Sequence, residues 1–151
     1  MHLVLRLVLS FVAVLVCYRF DWLWLKTITA SLNLRLDNLA GVPLERVSAD
    51  TVKLGAVAFR YVIACTFADV WCAALALVWK TRDSVARNLE FLAAFTLGLF
   101  VLNVVRLSAA DVIYAAGVSW TVAEGVIGGL AYFAVWLVIL RRHAWNASNC
   151  E

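Results

Sequence analysis

The stretch that decides the fold is residues 91–140, FLAAFTLGLFVLNVVRLSAADVIYAAGVSWTVAEGVIGGLAYFAVWLVIL. It contains two nearly uninterrupted apolar runs, 91–116 and 118–140, with only three charged side chains. A run of about 18 or more mostly apolar residues is long enough for a helix to cross the hydrocarbon core of a bilayer. Transmembrane strands would instead need segments of about ten residues with alternating polarity. Two adjacent transmembrane helices are therefore predicted here.

The composition of the whole chain indicates an integral membrane protein. Of its 151 residues, 65% are hydrophobic and 15% are charged, and the mean hydropathy is +0.90. Water-soluble domains are about 45–50% apolar and about 25% charged, so a soluble Rossmann or barrel architecture is excluded. Two further apolar runs, 3–25 and 54–79, bring the number of expected spans to four. The sequence therefore predicts an all-α protein, an integral membrane bundle of four transmembrane helices that forms a single domain over residues 1–151.

Basic residues next to the expected spans set the orientation, because cytoplasmic loops of membrane proteins are enriched in lysine and arginine. With four spans, six of them fall on one side of the membrane: Arg6, Lys80, Arg82, Arg87, Arg141 and Arg142. Both termini are therefore predicted to be cytoplasmic, and residues 26–53 to form an extracytoplasmic segment. Within it, residues 32–39 alternate between apolar and polar, which favours a short strand or a stretch lying on the bilayer surface. The first run has no small-x-small cleavage site, so we interpret it as a retained anchor.

Neither the cysteines nor the histidines form a recognisable disulfide or metal pattern. Cys17, Cys65 and Cys72 lie within expected spans, and Cys150 lies in the C-terminal tail. Two helical turns separate Cys65 from Cys72, about 10 Å along the axis, which is too far for a disulfide. No cysteine–histidine pair has the spacing of a zinc site. No metal and no cofactor are therefore predicted. A net charge of +3 from scattered side chains gives no reason to expect a nucleic-acid partner.

Polar side chains inside the expected spans are the candidate functional residues, since an ionisable group in a span costs about 2.5–3.5 kcal/mol on insertion scales. They are Arg60, Asp69, Asn103, Arg106, Asp111 and Glu124. With the orientation above, Cys65, Arg106 and Glu124 fall at similar depths in the outer half of the bilayer. Asp69 lies one turn deeper than Cys65, and Asn103 one turn from Arg106, each on the same helical face. A thiol, a guanidinium and a carboxylate are thus expected to converge.

Two interpretations of this group remain open. In the structural one, Arg106 and Glu124 form a buried ion pair and Cys65 is a small apolar residue. Asp69 or Asn103 would then bind the remaining donors of the arginine. In the functional one, Arg106 favours the thiolate of Cys65 and stabilises the oxyanion of a tetrahedral intermediate. Glu124 would then act as the base or as the group that orients Arg106.

Four segments of the chain resemble the core of the exosortase/archaeosortase family: ADTVKL at 49–54, VIACT at 62–66, NVVRL at 103–107 and AEGVIG at 123–128. The family pattern has a cysteine early in one span, usually followed by Ser-Gly, and an Asn-x-x-Arg near the outer end of the next span. A histidine, or in some members an arginine, precedes a glycine in the span after that. The resemblance covers residues 49–140. In this chain Thr66 and Phe67 follow the cysteine, and Glu124 stands in the histidine position.

The resemblance implies a membrane cysteine protease or transpeptidase that cuts C-terminal sorting signals from exported proteins and passes the cleaved chain to an acceptor. Cys65 would be the nucleophile, Arg106 the electrostatic stabiliser and Glu124 the replacement for the histidine. Asn103 and Asp69 would support them. The implied partners are the transmembrane signal helix of an exported protein and membrane lipid. The implied location is the inner (plasma) membrane of a prokaryote, with the site facing the extracytoplasmic side.

Two other classes of protein fit the same residues. The first is a relative of this family that has lost the chemistry and serves as a helix-binding subunit or scaffold of a membrane complex. The second is an unrelated small helical protein, such as half of a transporter. The absence of an internal repeat in the sequence counts against the second.

Overall fold

The computed structural model of the protein describes residues 3–144, so that His2 and Cys150 lie outside the described residues. This part of the chain is mostly helical and contains a small antiparallel sheet. The helices are α1 (Leu3–Cys17), α2 (Leu23–Leu39), α3 (Ala68–Val78), α4 (Val85–Ala115) and α5 (Trp120–Ala144). The strands are β1 (Leu44–Ser48), β2 (Thr51–Leu54) and β3 (Val57–Arg60). A short 3-10 turn, Ile63–Thr66, lies between β3 and α3 and is called the cysteine turn below.

Helices α4 and α5 form the hairpin that the two apolar runs of residues 91–140 predict. They are long and apolar enough to cross a membrane, over Val85–Ala115 and Trp120–Arg142. Helix α4 has 31 residues and is therefore about 46 Å long, more than the roughly 30 Å of a hydrocarbon core. The connection to α5 turns at Gly117, whose φ of 96° lies in the left-handed region that glycine adopts without strain. Two helices of this kind suggest a membrane protein, in agreement with the composition.

The expectation of four transmembrane helices is wrong, because only α4 and α5 of the described chain have the required length. Helix α1 has 15 residues and α3 has 11, which corresponds to about 22 Å and about 16 Å. The first run, 3–25, is interrupted after Cys17 by a turn, and Trp22 takes a left-handed φ of 52° before α2 begins. Hydropathy counts the apolar residues on both sides of this turn as one span.

The all-α prediction is also wrong, since part of the second run, 54–79, belongs to a three-stranded sheet of order β1-β2-β3. Strands β2 and β3 pair as a tight antiparallel hairpin in which Val52 lies opposite Phe59. Gly55, in the turn between them, has a φ of 59°. β-Branched and aromatic residues on either side of a glycine turn favour a hairpin over a helix. Mean hydropathy does not detect this preference, and it therefore predicts one span from the strand and helix α3 together.

Residues 32–39, expected to form a strand or a surface stretch, lie instead in helix α2. Asn33 and Asp37 are four residues apart and therefore share one face of this helix. That face is completely buried, with 0% exposure for both residues. It packs against α4, where Asn33 makes a hydrogen bond to Asp111. Asn33 and Asp37 of α2 thus point into the protein.

The molecule has two chemically different ends. At the basic end, the Arg142 guanidinium binds the Asp83 carboxylate at 3.2 Å, and Arg6 donates to a main-chain carbonyl near the end of α3. At the opposite, sheet end, the ring of Phe59 packs against Trp120 with centroids 4.8 Å apart. Between the ends, α1, α4 and α5 expose many large apolar side chains, as surfaces that contact lipid do. The charged candidates on α4 and α5 lie nearer the sheet end.

Candidate functional site

Cys65 lies in the cysteine turn and not in a long apolar helix. The hydroxyl of Thr66 closes the turn, because it donates to the carbonyl of Ile63 at 2.7 Å and accepts from the amide of Ala68 at 3.3 Å. Phe67 then takes a left-handed conformation with a φ of 56° and precedes α3 as its N-cap. A non-glycine residue in this region is strained by about 1 kcal/mol or more. The packing around the turn must therefore hold it in place.

Two side chains of α4 bind the main chain of the cysteine turn. Asn103 donates through Nδ2 to the carbonyl of Cys65 at 2.8 Å. Arg106 donates through Nη2 to the carbonyl of Ala64 at 3.4 Å. The two side chains are also joined, since Asn103 Oδ1 accepts from Nε and Nη2 of Arg106 at 3.4 and 3.2 Å. Asn103 and Arg106 are 0% and 4% exposed, so this connection is shielded from solvent.

Glu124, near the start of α5, forms an ion pair with Arg106 through Oε1 and Nη1. The arginine side chain is 3% exposed and the glutamate side chain 32%. The partner on α4 is therefore buried, and the partner on α5 is partly exposed. The second carboxylate oxygen of Glu124, Oε2, is buried and has no hydrogen-bond partner among residues 3–144. Gly128 lies one turn further along α5. A Cβ atom there would lie 3.4 Å from both Arg106 Nη1 and Glu124 Oε1. Alanine would therefore touch the ion pair, and side chains larger than alanine would press on it.

An aromatic side chain completes the surroundings of Arg106. The guanidinium carbon lies 4.6 Å from the centroid of the Phe67 ring, a cation–π contact. The same ring packs against Tyr132 of α5 with centroids 5.0 Å apart. The sequence reasoning missed both aromatic residues. Tyr132 carries a signal that was available, since it lies two helical turns after Glu124 and therefore on the same side of α5.

The electrostatic surroundings of Cys65 favour the protonated thiol in this conformation. Burial raises the pKa of the Cys65 thiol above its ordinary value. A backbone hydrogen bond at Val62 and the positive charge of Arg106 lower the pKa, while the negative charges of Glu124 and Asp69 raise it further. The thiol is thus within electrostatic range of the charged residues that the sequence groups with it. Because Glu124 neutralises Arg106, thiolate formation requires a change in this ion pair.

Asp69 lies in the first turn of α3 and has a different partner from the one expected. Its Oδ2 atom accepts a hydrogen bond from the hydroxyl of Tyr18 at 3.0 Å, which joins the end of α1 to the start of α3. Among the residues that the structure describes, Asn103 and not Asp69 accepts from Arg106. A cleft of about 210 Å³ between α1, α3 and α5 is lined by Asp69 and Tyr132. Asp69 therefore joins the end of α1 to α3 and lines this cleft.

A second polar cluster, which the sequence reasoning missed, lies between α2 and α4. Asn33 Nδ2 donates to the carboxylates of Asp37 and Asp111 at 2.6 Å in each case, and Ser108 donates to Asn33 Oδ1 at 3.4 Å. The two aspartates are 0% and 4% exposed, and their carboxylates accept from the same amide nitrogen, so they lie close together. Two buried carboxylates that lie close together repel each other when both are ionised, so this arrangement disfavours the doubly ionised pair. The available signal was the i, i+4 spacing in α2.

Arg60 is not in a span, because it belongs to strand β3. Its side chain is 74% exposed and binds the Asp50 carboxylate at 3.1 Å. This hydrogen bond is the main reason why the pKa of Asp50 lies below its usual value. Arg60 thus connects strand β3 to the turn between β1 and β2, and its described ion pair is with Asp50 and not with the residues around Cys65.

Neither a metal-binding group in residues 3–144 nor a match to a known protein indicates the function of this site. Within residues 3–144, no group of three or more His, Cys, Asp and Glu side chains is arranged to hold a metal ion. Comparison with models of known protein families, with curated proteins and with solved structures finds no match for this chain. The function has to be inferred from the site itself.

Proposed function

We propose that this protein is a membrane-embedded cysteine peptidase or transpeptidase of the exosortase/archaeosortase type. In this proposal it cuts C-terminal sorting signals of exported proteins at the outer face of a prokaryotic plasma membrane. The observation that carries the proposal is the pair of hydrogen bonds from Asn103 and Arg106 to the main chain of the cysteine turn. An arginine that is held beside a cysteine by buried hydrogen bonds is a preorganised donor for the oxyanion of a tetrahedral intermediate.

The backbone at Phe67 gives independent support. The family pattern has a glycine two residues after the cysteine, and Phe67 occupies this position with a φ of 56°. Glycine is the residue that adopts the left-handed conformation without strain. The turn therefore has the shape for which a glycine is suited, while the phenylalanine ring is used to pack against Arg106.

Each residue of the site has a distinct role in the proposed reaction. Oε2 of Glu124 takes the proton of the Cys65 thiol, and the sulfur attacks the carbonyl carbon of the scissile peptide bond. Nη1 of Arg106 donates to the oxyanion that forms. Glu124 then returns the proton to the leaving nitrogen, the C–N bond breaks, and a thioester joins the substrate chain to Cys65. Attack of an acceptor amine or of water on the thioester releases the chain and regenerates the thiol.

A second candidate function is that of an inactive relative that binds a transmembrane helix as a subunit of a membrane complex. The ion pair between Arg106 and Glu124 favours it, because the pair neutralises the cation that a thiolate needs. Burial of Cys65 acts in the same direction, since it favours the neutral thiol. The two candidates make opposite predictions for substitutions of Cys65.

The test uses the protein in membranes with a secreted reporter that ends in a short polar motif, one hydrophobic helix and a basic cluster. Cys65→Ala and Cys65→Ser should both abolish cleavage of the reporter with normal expression, because alanine has no nucleophile and serine is a far weaker acid. Cys150→Ala is the control and should cleave normally. A hydroxylamine-sensitive adduct of reporter and wild type, missing in both Cys65 variants, identifies the thioester. Cleavage by Cys65→Ala would overturn the catalytic role, and capture of the reporter helix without cleavage would support the second candidate.

Substitutions of Glu124 test the proton transfer separately. Glu124→Gln keeps the shape of the side chain but cannot take a proton, so cleavage should fall by about 100-fold or more. Glu124→His restores the residue of the family pattern and should retain cleavage. A Glu124→Gln variant that cleaves at the wild-type rate would show that another group is the base.

A further inference from the structure

Cys17 and Cys72 form a pair of buried thiols that the proposed reaction does not use. Cys17 is the last residue of α1, and Cys72 lies in the second turn of α3. They are 2% and 8% exposed and pack together in one small cluster with Ala68. Two free cysteines that belong to one buried cluster on adjacent helices are candidates for a disulfide, whose S–S bond is about 2.05 Å long.

The position of the pair in the fold would make a covalent link consequential. Tyr18 follows Cys17 directly and binds Asp69 at 3.0 Å, so α1 and α3 already meet at this point. A bond between residues 17 and 72 would close a loop that contains α2, the sheet and the cysteine turn. Cys65 packs in a separate cluster around Tyr61, and a link between Cys17 and Cys72 would leave its thiol reduced.

We propose that Cys17 and Cys72 form an intramolecular disulfide that ties α1 to α3 when the sheet end of the protein is exported. Disulfides form and persist in oxidising compartments outside the cytoplasm. The two thiols lose two protons and two electrons to the disulfide of an extracytoplasmic thiol oxidoreductase, which becomes a dithiol. One thiolate attacks that disulfide to give a mixed disulfide, and the second sulfur then displaces the reduced oxidoreductase as the S–S bond forms.

Burial determines when this exchange takes place. A thiol that is almost fully covered cannot reach an external disulfide, so the bond forms before α1 docks on α3 or during its transient opening. The disulfide then constrains the unfolded chain over the loop that it closes. The proposal concerns residues outside the peptidase site, so its outcome is independent of whether the protein cleaves a substrate.

The test counts the thiols of the full-length protein, purified from cells that form disulfides outside the cytoplasm. The protein is denatured in the presence of N-ethylmaleimide, with or without prior reduction, and the adducts are counted by intact mass. The chain has four cysteines, so we expect two adducts without reduction and four after it. A digest of the unreduced protein should contain two peptides joined through Cys17 and Cys72.

Two variants make the count specific. Cys72→Ser leaves Cys17 without its partner and should give three adducts whether or not the protein is reduced. Cys65→Ser, the matched control, should give one adduct without reduction and three after it. Four adducts in the unreduced wild type would overturn the proposal, and so would a disulfide between any other two cysteines.

Discussion

Replacing Asn103 with alanine should loosen the cysteine turn without unfolding the protein. Asn103 donates one hydrogen bond to the Cys65 carbonyl and accepts two from Arg106. In the variant the carbonyl loses its partner on α4, and one edge of the guanidinium loses its acceptor. Arg106 still binds Glu124 and the carbonyl of Ala64, so the charge remains paired.

The size of the effect follows from these lost contacts. A buried polar group that is left without a partner costs about 1–3 kcal/mol. The guanidinium of Arg106 loses only some of its hydrogen-bond acceptors. The free energy of unfolding of Asn103→Ala should therefore fall by about 2–4 kcal/mol, including a small cavity term. Because about 1.4 kcal/mol corresponds to a factor of ten in an equilibrium constant, local opening of the turn should increase about tenfold or more. The alkylation rate of Cys65 should rise with it.

Asn88 provides a matched control on the same helix. It is 2% exposed, accepts from the amide of Lys80 at 2.9 Å and donates to the carbonyl of Lys80 at 2.8 Å. It lies about 22 Å along α4 from Asn103, so Asn88→Ala should lose comparable stability without affecting Cys65. Chemical unfolding in detergent micelles measures the stability. The rate of reaction with a soluble maleimide, in protein that lacks Cys150, measures how accessible the Cys65 thiol is. Equal alkylation rates in the two variants would refute the idea that Asn103 holds the turn.

Three further predictions concern pH and orientation. Burial raises the pKa of the Cys65 thiol. Its alkylation rate should therefore still increase at a pH at which an ordinary thiol, with a pKa of about 8.5, already reacts at its maximum rate. A rate that levels off at the same pH as that of an ordinary thiol would contradict this. Burial also raises the pKa of Asp37, so its protonated form stabilises the fold and the free energy of unfolding should fall as the pH rises through the raised pKa. Asp37→Asn should flatten this dependence in unfolding measurements, and parallel wild-type and variant curves would count against it. The predicted orientation, with the basic end in the cytoplasm, implies that a membrane-impermeant maleimide labels Cys150 only after permeabilisation. Labelling in sealed cells would indicate the opposite orientation.

Helices α4 and α5 could be predicted from the sequence because an apolar run longer than a bilayer has few alternatives to a helix. The division of the first run could not. The turn after Cys17 ends at Trp22 in a left-handed conformation, for which tryptophan has no preference. The hairpin around Gly55 could not be predicted from hydropathy either, since its apolar residues are as hydrophobic as those of a transmembrane helix.

The ion pair of the site was foreseeable, because a charged residue in an apolar helix needs a partner of opposite charge. The spacing of three residues also placed Asn103 beside Arg106. The local structure at Cys65 was not foreseeable, since it depends on a sheet that hydropathy does not detect. The cluster of Asn33 and Asp37 was missed for a related reason, because the alternating leucines in residues 32–39 resemble the pattern of a strand. In the structure these two polar residues are buried towards α4.

The segment 103–111 of α4 sets the relative positions of the two parts of the protein that surround Cys65. Asn103 binds the cysteine turn, and Asp111 binds α2 through Asn33. A helix rises 1.5 Å per residue, so these attachment points are about 12 Å apart and cannot move independently. The sheet connects α2 to the turn and is thus held on both sides by one rigid element. Because Arg106 belongs to that element as well, its guanidinium and the cysteine turn are held in a fixed relative position, which is the preorganisation that the proposed nucleophile and oxyanion donor would require.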